Sequence, residues 1–327
     1  MNAEHVISVL ISMRSYHLIP RLLEYSTFYP QLKIECYKQF EEFQSSDQWG
    51  YTDVLVLFGK IQPNHVDECV RSNPLKWIHA FSTGVRSFLT EELISSPVPF
   101  TNTKGVYDFS LSEYCLGAML YFNKKIETLR LQKDKKLFCP FNMPTLSKST
   151  IVILGYGSIG KSVARMCKML NMSVIGIKRT KVEPDGIADQ IFDMEKLHEI
   201  LPSADFLFMA LPSTRMTNNV IAEREIALMK KTAVIINVGR GDSINERDLV
   251  NALHNRSIAG AALDVFWNEP IPQNSPLWNA PNLLISPHNG GMTLISEENR
   301  MKCFKDNLES FLNGRQLTSI VDKAKGY

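Results

Sequence analysis

The chain has 327 residues, 44% of them hydrophobic and 21% charged, with a formal net charge of +2. That length points to two domains, and that apolar content to sizeable cores, which excludes disorder as the dominant state. The charge is close to balanced and the bases are interspersed with acids, so no basic stripe marks a nucleic-acid partner.

Short apolar runs alternate with amphipathic stretches from the start, the signature of an α/β protein. In the first block the pattern predicts strands over residues 6–11, 33–36, 53–58, 76–81 and 98–101, with helices such as 18–25 and 65–71 between them. The apolar run 6–11 follows the acidic Glu4 and lacks a basic leader, so it reads as a strand and not as a signal sequence. Residues 110–130 read as one long helix, with Leu111, Tyr114, Cys115, Ala118, Met119 and Phe122 near helical spacing, suited to a connector or a dimer interface. Residues 133–149, which hold Pro140 and Pro144, read as an irregular arm, and Lys133, Lys135 and Lys136 as a solvated loop.

From Thr150 a second block predicts strands over 151–154, 173–177, 206–210, 233–237, 259–263 and 283–286. Helices fill 158–169, 194–201, 222–229 and 246–254, and a last helix covers 296–312. The six cysteines lie far apart with no C-x-x-C pair, and no histidine pair has metal-ligand spacing, so reduced structural thiols and no metal are expected. No stretch approaches the roughly 20 apolar residues that cross a bilayer. A cytoplasmic protein without a membrane partner is the expectation.

One strand runs straight into Gly155-Tyr156-Gly157-Ser158-Ile159-Gly160, and the helix after it carries Ile159, Val163, Ala164, Cys167 and Leu170 toward the sheet. In such a G-x-G-x-x-G turn the first glycine permits the tight turn, the second lets the backbone approach a pyrophosphate, and the third lets helix and strand pack closely. The helix N-terminus then offers free N–H groups and a positive dipole to the phosphates. Many such patterns are plain loops; the strand before and the helix after point here to a dinucleotide held by residues 155 to 160. The next strand ends in Lys178-Arg179-Thr180, where an NAD-binding fold usually places Asp or Glu against the adenosine ribose. Two cations there would pair with a 2′-phosphate, so NADP(H) is expected over NAD(H). The plain alternative is a pair of exposed strand-end charges.

Three later segments fall at strand ends: Asn237-Val238-Gly239-Arg240-Gly241, Leu263-Asp264-Val265-Phe266-Trp267-Asn268-Glu269-Pro270 and Ser286-Pro287-His288-Asn289-Gly290-Gly291. Ligands in open α/β sheets bind outside the carboxyl ends of the strands. Arg240 can clamp a carboxylate, His288 can donate a proton to a ketone oxygen, and Glu269 can hold the imidazole protonated. Singly, each has a structural reading: a surface salt bridge, a satisfied core histidine, a cap before Pro270. Their order downstream of a dinucleotide turn joins them into one chemical set.

In these motifs the chain resembles the D-2-hydroxyacid dehydrogenase (D-isomer-specific) family over nearly its whole length. The likeness rests on residues 155–160, on Leu211-Pro212-Ser213-Thr214 with Thr217, and on 237–241, 263–270 and 287–291. Ser82-Thr83-Gly84-Val85 and Glu113 add to it. The resemblance implies two Rossmann-like, doubly wound parallel-sheet α/β domains with a cleft between them. A discontinuous substrate domain would comprise 1–101 plus 290–327 and a dinucleotide domain 102–289, with hinges near Thr101 and Gly290. It implies hydride transfer from the nicotinamide to a small 2-keto acid, His288 protonating the oxygen, Glu269 supporting His288, and Arg240 binding carboxylate and carbonyl oxygens. Amides around Thr83 and Gly84 would hold the far side of the carboxylate, and Asp264 would orient the nicotinamide carboxamide. Leu211, Pro212, Thr217, Val238, Gly239 and Gly290 would line the cofactor's path, and a homodimer is implied as well.

The chain departs from the family pattern at Arg86, where members usually carry an acidic or polar residue after the Gly-Val of the substrate loop. That bears on the charge and shape of the pocket, not on the reaction class. The edge at Lys178, Arg179 and Thr180 matches the NADP-using branch. The leading expectation is therefore an NADPH-dependent reductase of glyoxylate or hydroxypyruvate type that yields a D-2-hydroxy acid. The rivals are a dinucleotide-sensing corepressor or scaffold on the same fold, and a formate dehydrogenase-like hydride transferase. Pocket residues are expected from 12–14, 58–60, Arg86, Trp267 and Met292.

Overall fold

Val-, Ile- and Leu-rich runs too short for helices build two separate sheets in which every pairing is parallel, and such strands must be covered on both faces. The computed structural model describes residues 5–59, 61–179, 183 and 185–326, without the side chain of Arg14. The cofactor candidate Thr180 and the pocket candidate Lys60 lie outside the described residues. The chain divides into one unit of Met1–Val106 with Glu297–Tyr327 and another of Tyr107–Ser296.

In the first unit, β1 (His5–Leu10), β2 (Leu32–Tyr37), β3 (Val54–Leu57), β4 (Trp77–Ala80) and β5 (Phe100–Asn102) stand in the order β2-β1-β3-β4-β5. Between the strands lie α1 (Ile19–Phe28), α2 (Phe40–Gln44), α3 (Pro63–Ser72) and α4 (Glu91–Ser95). The two-residue period of the strands divides the core. Ile7 and Val9 pack with Leu22 and Tyr25 of α1 and with Met301, Phe304 and Leu308 of the C-terminal helix (Leu294–Leu312). Leu55 and Leu57 pack on the opposite face with Phe43, Val66 and Leu93. The helices α2 and α4 are five residues each, too short for a helical period to register in the sequence.

The second unit holds β6 (Thr150–Leu154), β7 (Ser173–Lys178), β8 (Gln190–Asp193), β9 (Phe206–Met209), β10 (Val234–Asn237), β11 (Gly260–Leu263) and β12 (Leu283–Ile285). Their order, β12-β11-β10-β9-β6-β7-β8, reverses direction between β6 and β9. The strand β8 was not anticipated: Gln190 and Asp193 flank only two apolar residues. One face is covered by α5 (Asp108–Asn123) and α7 (Ser158–Met169), through Cys115, Met119, Val163 and Cys167. The other is covered by α8 (Leu197–Ile200), α9 (Glu223–Leu228) and α10 (Glu246–His254), through Ile200, Ile226 and Leu249.

One expectation needs correction. The single helix over 110–130 is two, α5 and α6 (Ile126–Asp134), because Lys125 turns left-handed (φ 49°) and ends the ladder with its N–H donated to Phe122 O. Lys133 accordingly lies in α6, not in a loop. The two compact units divide at 106/107 and 296/297, a few residues beyond the expected 101/102 and 289/290. Asn102 and Thr103 are tied to the 82–83 loop of the first unit, through Asn102 Nδ2 to Thr83 O and Thr103 N to Ser82 O. Residues 290–296 are tied to the second, through Gly290 N to Asp264 and Ser296 Oγ to Gly291 O.

The end of the chain closes the first unit. Ile320 bridges Thr101 in antiparallel fashion, and the Lys323 ammonium donates to the carbonyls of Leu93, Ser96 and Val98. At the centre of this core His79 is fully buried among Trp77, Phe81 and Phe304, with Nδ1 2.8 Å from Thr101 Oγ1. Burial pushes its pKa down from 6.5 to about 3. The unfolded chain therefore takes up a proton below about pH 6.5 that the folded chain refuses. Stability is complete above that pH and falls by about 1.4 kcal/mol per pH unit toward pH 3. His79→Asn keeps a polar atom near Thr101 and removes the titration, so it should be less stable at pH 7 yet lose less between pH 6.5 and about 4.5. Amide exchange of β4 at the two pH values measures this, and equal losses in both proteins would refute it.

Candidate active site

The glycine turn leaves β6 at the point where the strand order reverses, the usual place for a ligand crevice in an open parallel sheet. Gly155 has φ 102°, and a Cβ there would stand 2.6 Å from Ala210 O, so only glycine makes the turn. At Gly160 a Cβ would meet Gly155 O at 2.6 Å and Ile153 Cγ2 at 2.9 Å, which ties that glycine to helix–strand packing. Gly157 differs: a Cβ would meet no atom within 4 Å, so nothing in the chain's own packing requires glycine there. A pyrophosphate drawn onto the backbone would require it. Gly157 caps α7, whose first turn (from Ser158 and Ile159) carries no acidic residue to neutralise the dipole. These residues fit a dinucleotide.

Tyr156 is fully buried, its ring packed where any Cβ on Gly176 would lie, so its side chain serves packing. Its hydroxyl bonds Asp185 at 3.1 Å, and Lys161 pairs with the same carboxylate at 2.9 Å. Against desolvation, which would raise it, hydrogen bonds from Lys161, the Ile187 amide and Tyr156 hold the Asp185 pKa down at about 2. Asp185 is thus an acid beyond β7 that the sequence reading did not single out, tied to the glycine turn through Tyr156 and to α7 through Lys161. Lys178 is the last residue of β7 and Arg179 follows it, exposed.

After β9, Leu211 and Pro212 open a turn held by Thr217, whose Oγ1 donates to Pro212 O (2.7 Å) and accepts from Thr214 N (2.8 Å). Thr217 thus shapes the turn through its hydroxyl. Ser213 Oγ donates to the Asp242 carboxylate and joins this turn to the one after β10. There Asn237, 1% exposed, accepts from Gly239 N and donates to Arg240 O, both at 3.0 Å. Ser243 Oγ donates to the same carbonyl at 2.6 Å. Val238 is buried beside them. Burial lowers the pKa of the Arg240 guanidinium, opposed by the charges of Glu269 and Asp242.

Glu269 also meets His288: its Oε2 lies 2.7 Å from Nδ1, while Oε1 accepts from Phe266 N at 3.1 Å. One carboxylate thus acts on the arginine electrostatically and fixes the imidazole by a hydrogen bond, leaving Nε2 for proton transfer. His288 is about half exposed (48%) and left-handed, with φ 54°. Asp264 is 2% exposed. Burial raises its pKa, resisted by hydrogen bonds from Ser286, Gly290 N and Asn289 N and by the His288 charge. It accepts from Ser286 Oγ (2.7 Å), Asn289 N (3.0 Å) and Gly290 N (3.0 Å), so this carboxylate organises the loop that carries His288. The support given by Asn237, Ser243 and Asp264 was not visible in the sequence, where motif strings marked Asn237 and Asp264 and nothing marked Ser243.

Thr83 and Gly84 belong to the first unit. Thr83 Oγ1 donates to Thr103 O (3.1 Å), Asn102 Nδ2 to Thr83 O (2.9 Å) and Ser82 Oγ to Gly84 O (2.9 Å), which fixes the backbone of that loop. Among the described residues no group of three His, Cys, Asp or Glu side chains could hold a metal, and no helix is long and apolar enough to cross a membrane.

Comparison with known proteins matches residues 116–290 to the D-isomer specific 2-hydroxyacid dehydrogenase, NAD binding domain. The chain is 30% identical over 259 residues to glyoxylate/hydroxypyruvate reductase A of Yersinia enterocolitica, covering 77% of this chain and 82% of that one. Its fold matches a D-isomer specific 2-hydroxyacid dehydrogenase family protein of Aeromonas salmonicida with a TM-score of 0.82 and 29% identity, over 98% of this chain and 99% of the other. It also matches an NADPH-dependent glyoxylate/hydroxypyruvate reductase of Sinorhizobium meliloti, solved with NADP and sulfate, at a TM-score of 0.83 and 24% identity over 99% and 100% of the two chains.

The contrast among the glycines is testable. Gly160→Ala should lower thermal stability, because the Cβ meets backbone. Gly157→Ala should cost no more than about 1 kcal/mol of stability yet weaken binding of a nicotinamide dinucleotide about tenfold or more. Melting curves and a fluorescence titration report the two effects, and unimpaired binding by Gly157→Ala would remove that residue from the cofactor site.

Proposed function

Since the chain belongs to the D-isomer specific 2-hydroxyacid dehydrogenase family, we propose that it uses NADPH to reduce a small 2-keto acid of glyoxylate or hydroxypyruvate type to the D-2-hydroxy acid. The observation that carries this reading is the 2.7 Å contact between His288 Nδ1 and Glu269, with the charge of the same carboxylate felt by Arg240.

The reduced nicotinamide, when bound, supplies the hydride. Arg240 binds the substrate carboxylate and stabilises negative charge as it develops on the keto oxygen, an effect magnified by the partial desolvation of its guanidinium. Glu269 accepts from Nδ1, which sets the tautomer and the plane of the ring. Nε2 then delivers its proton to the oxygen as the alkoxide forms. The Phe266 amide holds the second Glu269 oxygen, so the carboxylate cannot swing away from the imidazole. Asn237 and Ser243 fix the Arg240 backbone, so the guanidinium starts from a defined position. Glyoxylate or hydroxypyruvate as substrate is supported by the names of the relatives, and NADPH by the cations Lys178 and Arg179 at the end of β7.

Two experiments test the reading. His288→Ala should reduce kcat about a thousandfold or more and change NADPH affinity less than about threefold. Substantial residual turnover in a steady-state assay with glyoxylate and hydroxypyruvate would take the proton-donor role from His288. Replacing Lys178 and Arg179 together with Ala should raise the KM for NADPH tenfold or more, by about 1.4 kcal/mol or above, while leaving that for NADH within about twofold. Equal losses with both cofactors would refute the preference.

A further inference from the structure

His288 holds a left-handed backbone conformation without being glycine. Such a conformation costs of order 1 kcal/mol and persists only where neighbouring contacts over-determine it. The contacts on its loop can be followed residue by residue. His288 N donates to Ser286 O (2.9 Å), and the next two amides, of Asn289 and Gly290, dock on the Asp264 carboxylate. A buried carboxylate keeps its acceptors in place only if donors compensate its desolvation. The third donor is Ser286, whose Oγ lies 2.7 Å from Asp264 Oδ1 and also 2.7 Å from the Tyr114 hydroxyl.

A serine hydroxyl has one proton. The arrangement that satisfies both short contacts has Tyr114 donating to Ser286 Oγ and Ser286 donating to Asp264. Burial pushes the Tyr114 hydroxyl up to about 12, so it keeps the proton this chain requires. The Tyr114 ring also lies over the loop, since a Cβ on Gly290 would stand 3.1 Å from its Cγ. A second tie from the same helix, Ser110 Oγ to Thr293 Oγ1 at 3.1 Å, holds the segment just beyond. The helix α5 thus grips the His288 loop at two points, 286 and 293.

We propose that Tyr114 and Ser286 are positioning residues for His288, acting through Asp264 as a hydroxyl clamp that holds the loop in the conformation presenting the imidazole to substrate. The proposal rests on the reading of His288 as proton donor, and it concerns residues that touch neither substrate nor cofactor in that reading.

The test uses the full chain with Ser286→Ala, Ser286→Thr and Tyr114→Phe, and two independent readouts. The first is the NMR signal of the His288 Nδ1 proton held by Glu269, recorded without cofactor and identified by its absence in His288→Gln. It should be lost or broadened in Ser286→Ala, weakened in Tyr114→Phe and restored in Ser286→Thr. The second is turnover of glyoxylate with NADPH. The expected kcat falls about tenfold in Ser286→Ala and about threefold in Tyr114→Phe, recovers in Ser286→Thr, and leaves the KM for NADPH within about twofold throughout. An unchanged imidazole signal in both Ser286→Ala and Tyr114→Phe would overturn the clamp, as would a changed signal with unchanged kcat. A loss expressed wholly in the KM for NADPH would also overturn it, by moving the effect to cofactor binding. If the unaltered protein reduces no keto acid, the proposed reaction fails separately, while the imidazole signal still decides whether the clamp exists.

Discussion

Every strand of the larger sheet points the same way, and the rest of the site depends on that constraint. Parallel pairing requires each connection to return across a face of the sheet, so the segments after β6, β9, β10, β11 and β12 all leave from one edge. Gly155, Leu211, Arg240, Asp264 and His288 are spread over more than a hundred residues of sequence, yet each lies just past the end of one of five neighbouring strands. Chemistry that needs a guanidinium, a carboxylate and an imidazole together is thereby assembled from short loops.

Short loops do not hold charged groups still by themselves, and in this chain a layer of buried polar side chains does so. Asn237 and Ser243 engage the Arg240 backbone, the Phe266 amide engages Glu269, and Asp264 engages the His288 loop. Each of these groups would cost about 1–3 kcal/mol if left buried and unpaired, so the partners stabilise one another. Satisfied networks of this kind also restrict geometry, which matters more for catalysis than their net contribution to stability.

The glycine turn and the Arg240, Glu269 and His288 set were legible in the sequence because their evidence is local: an apolar strand, a fixed glycine spacing, and reactive side chains just past predicted strand ends. What escaped notice is non-local or short. The strand β8 has two apolar residues, and the break at Lys125 rests on one backbone dihedral that lysine does not advertise. Tyr114 reads as one more apolar position on a helix until its hydroxyl is found beside Ser286, 172 residues away. That Asp264 also accepts from the Asn289 and Gly290 amides of its neighbouring loop had no local sign either. Thr217 likewise shapes its own turn.

The two units differ in one further respect. All strands of the second come from a single uninterrupted stretch, whereas the first draws Met301, Phe304 and Leu308 into its core from nearly two hundred residues beyond its last strand. During synthesis, which delivers roughly 5–20 residues per second and lets domains fold as they emerge, the second unit has all its core residues before the first does. Residues 5–106 wait on the ribosome with one face of their sheet covered by α1 alone, for about ten seconds or more at that pace. The apolar side chains of β1, β3 and β4 on that face are then the last in the protein to gain their full set of neighbours.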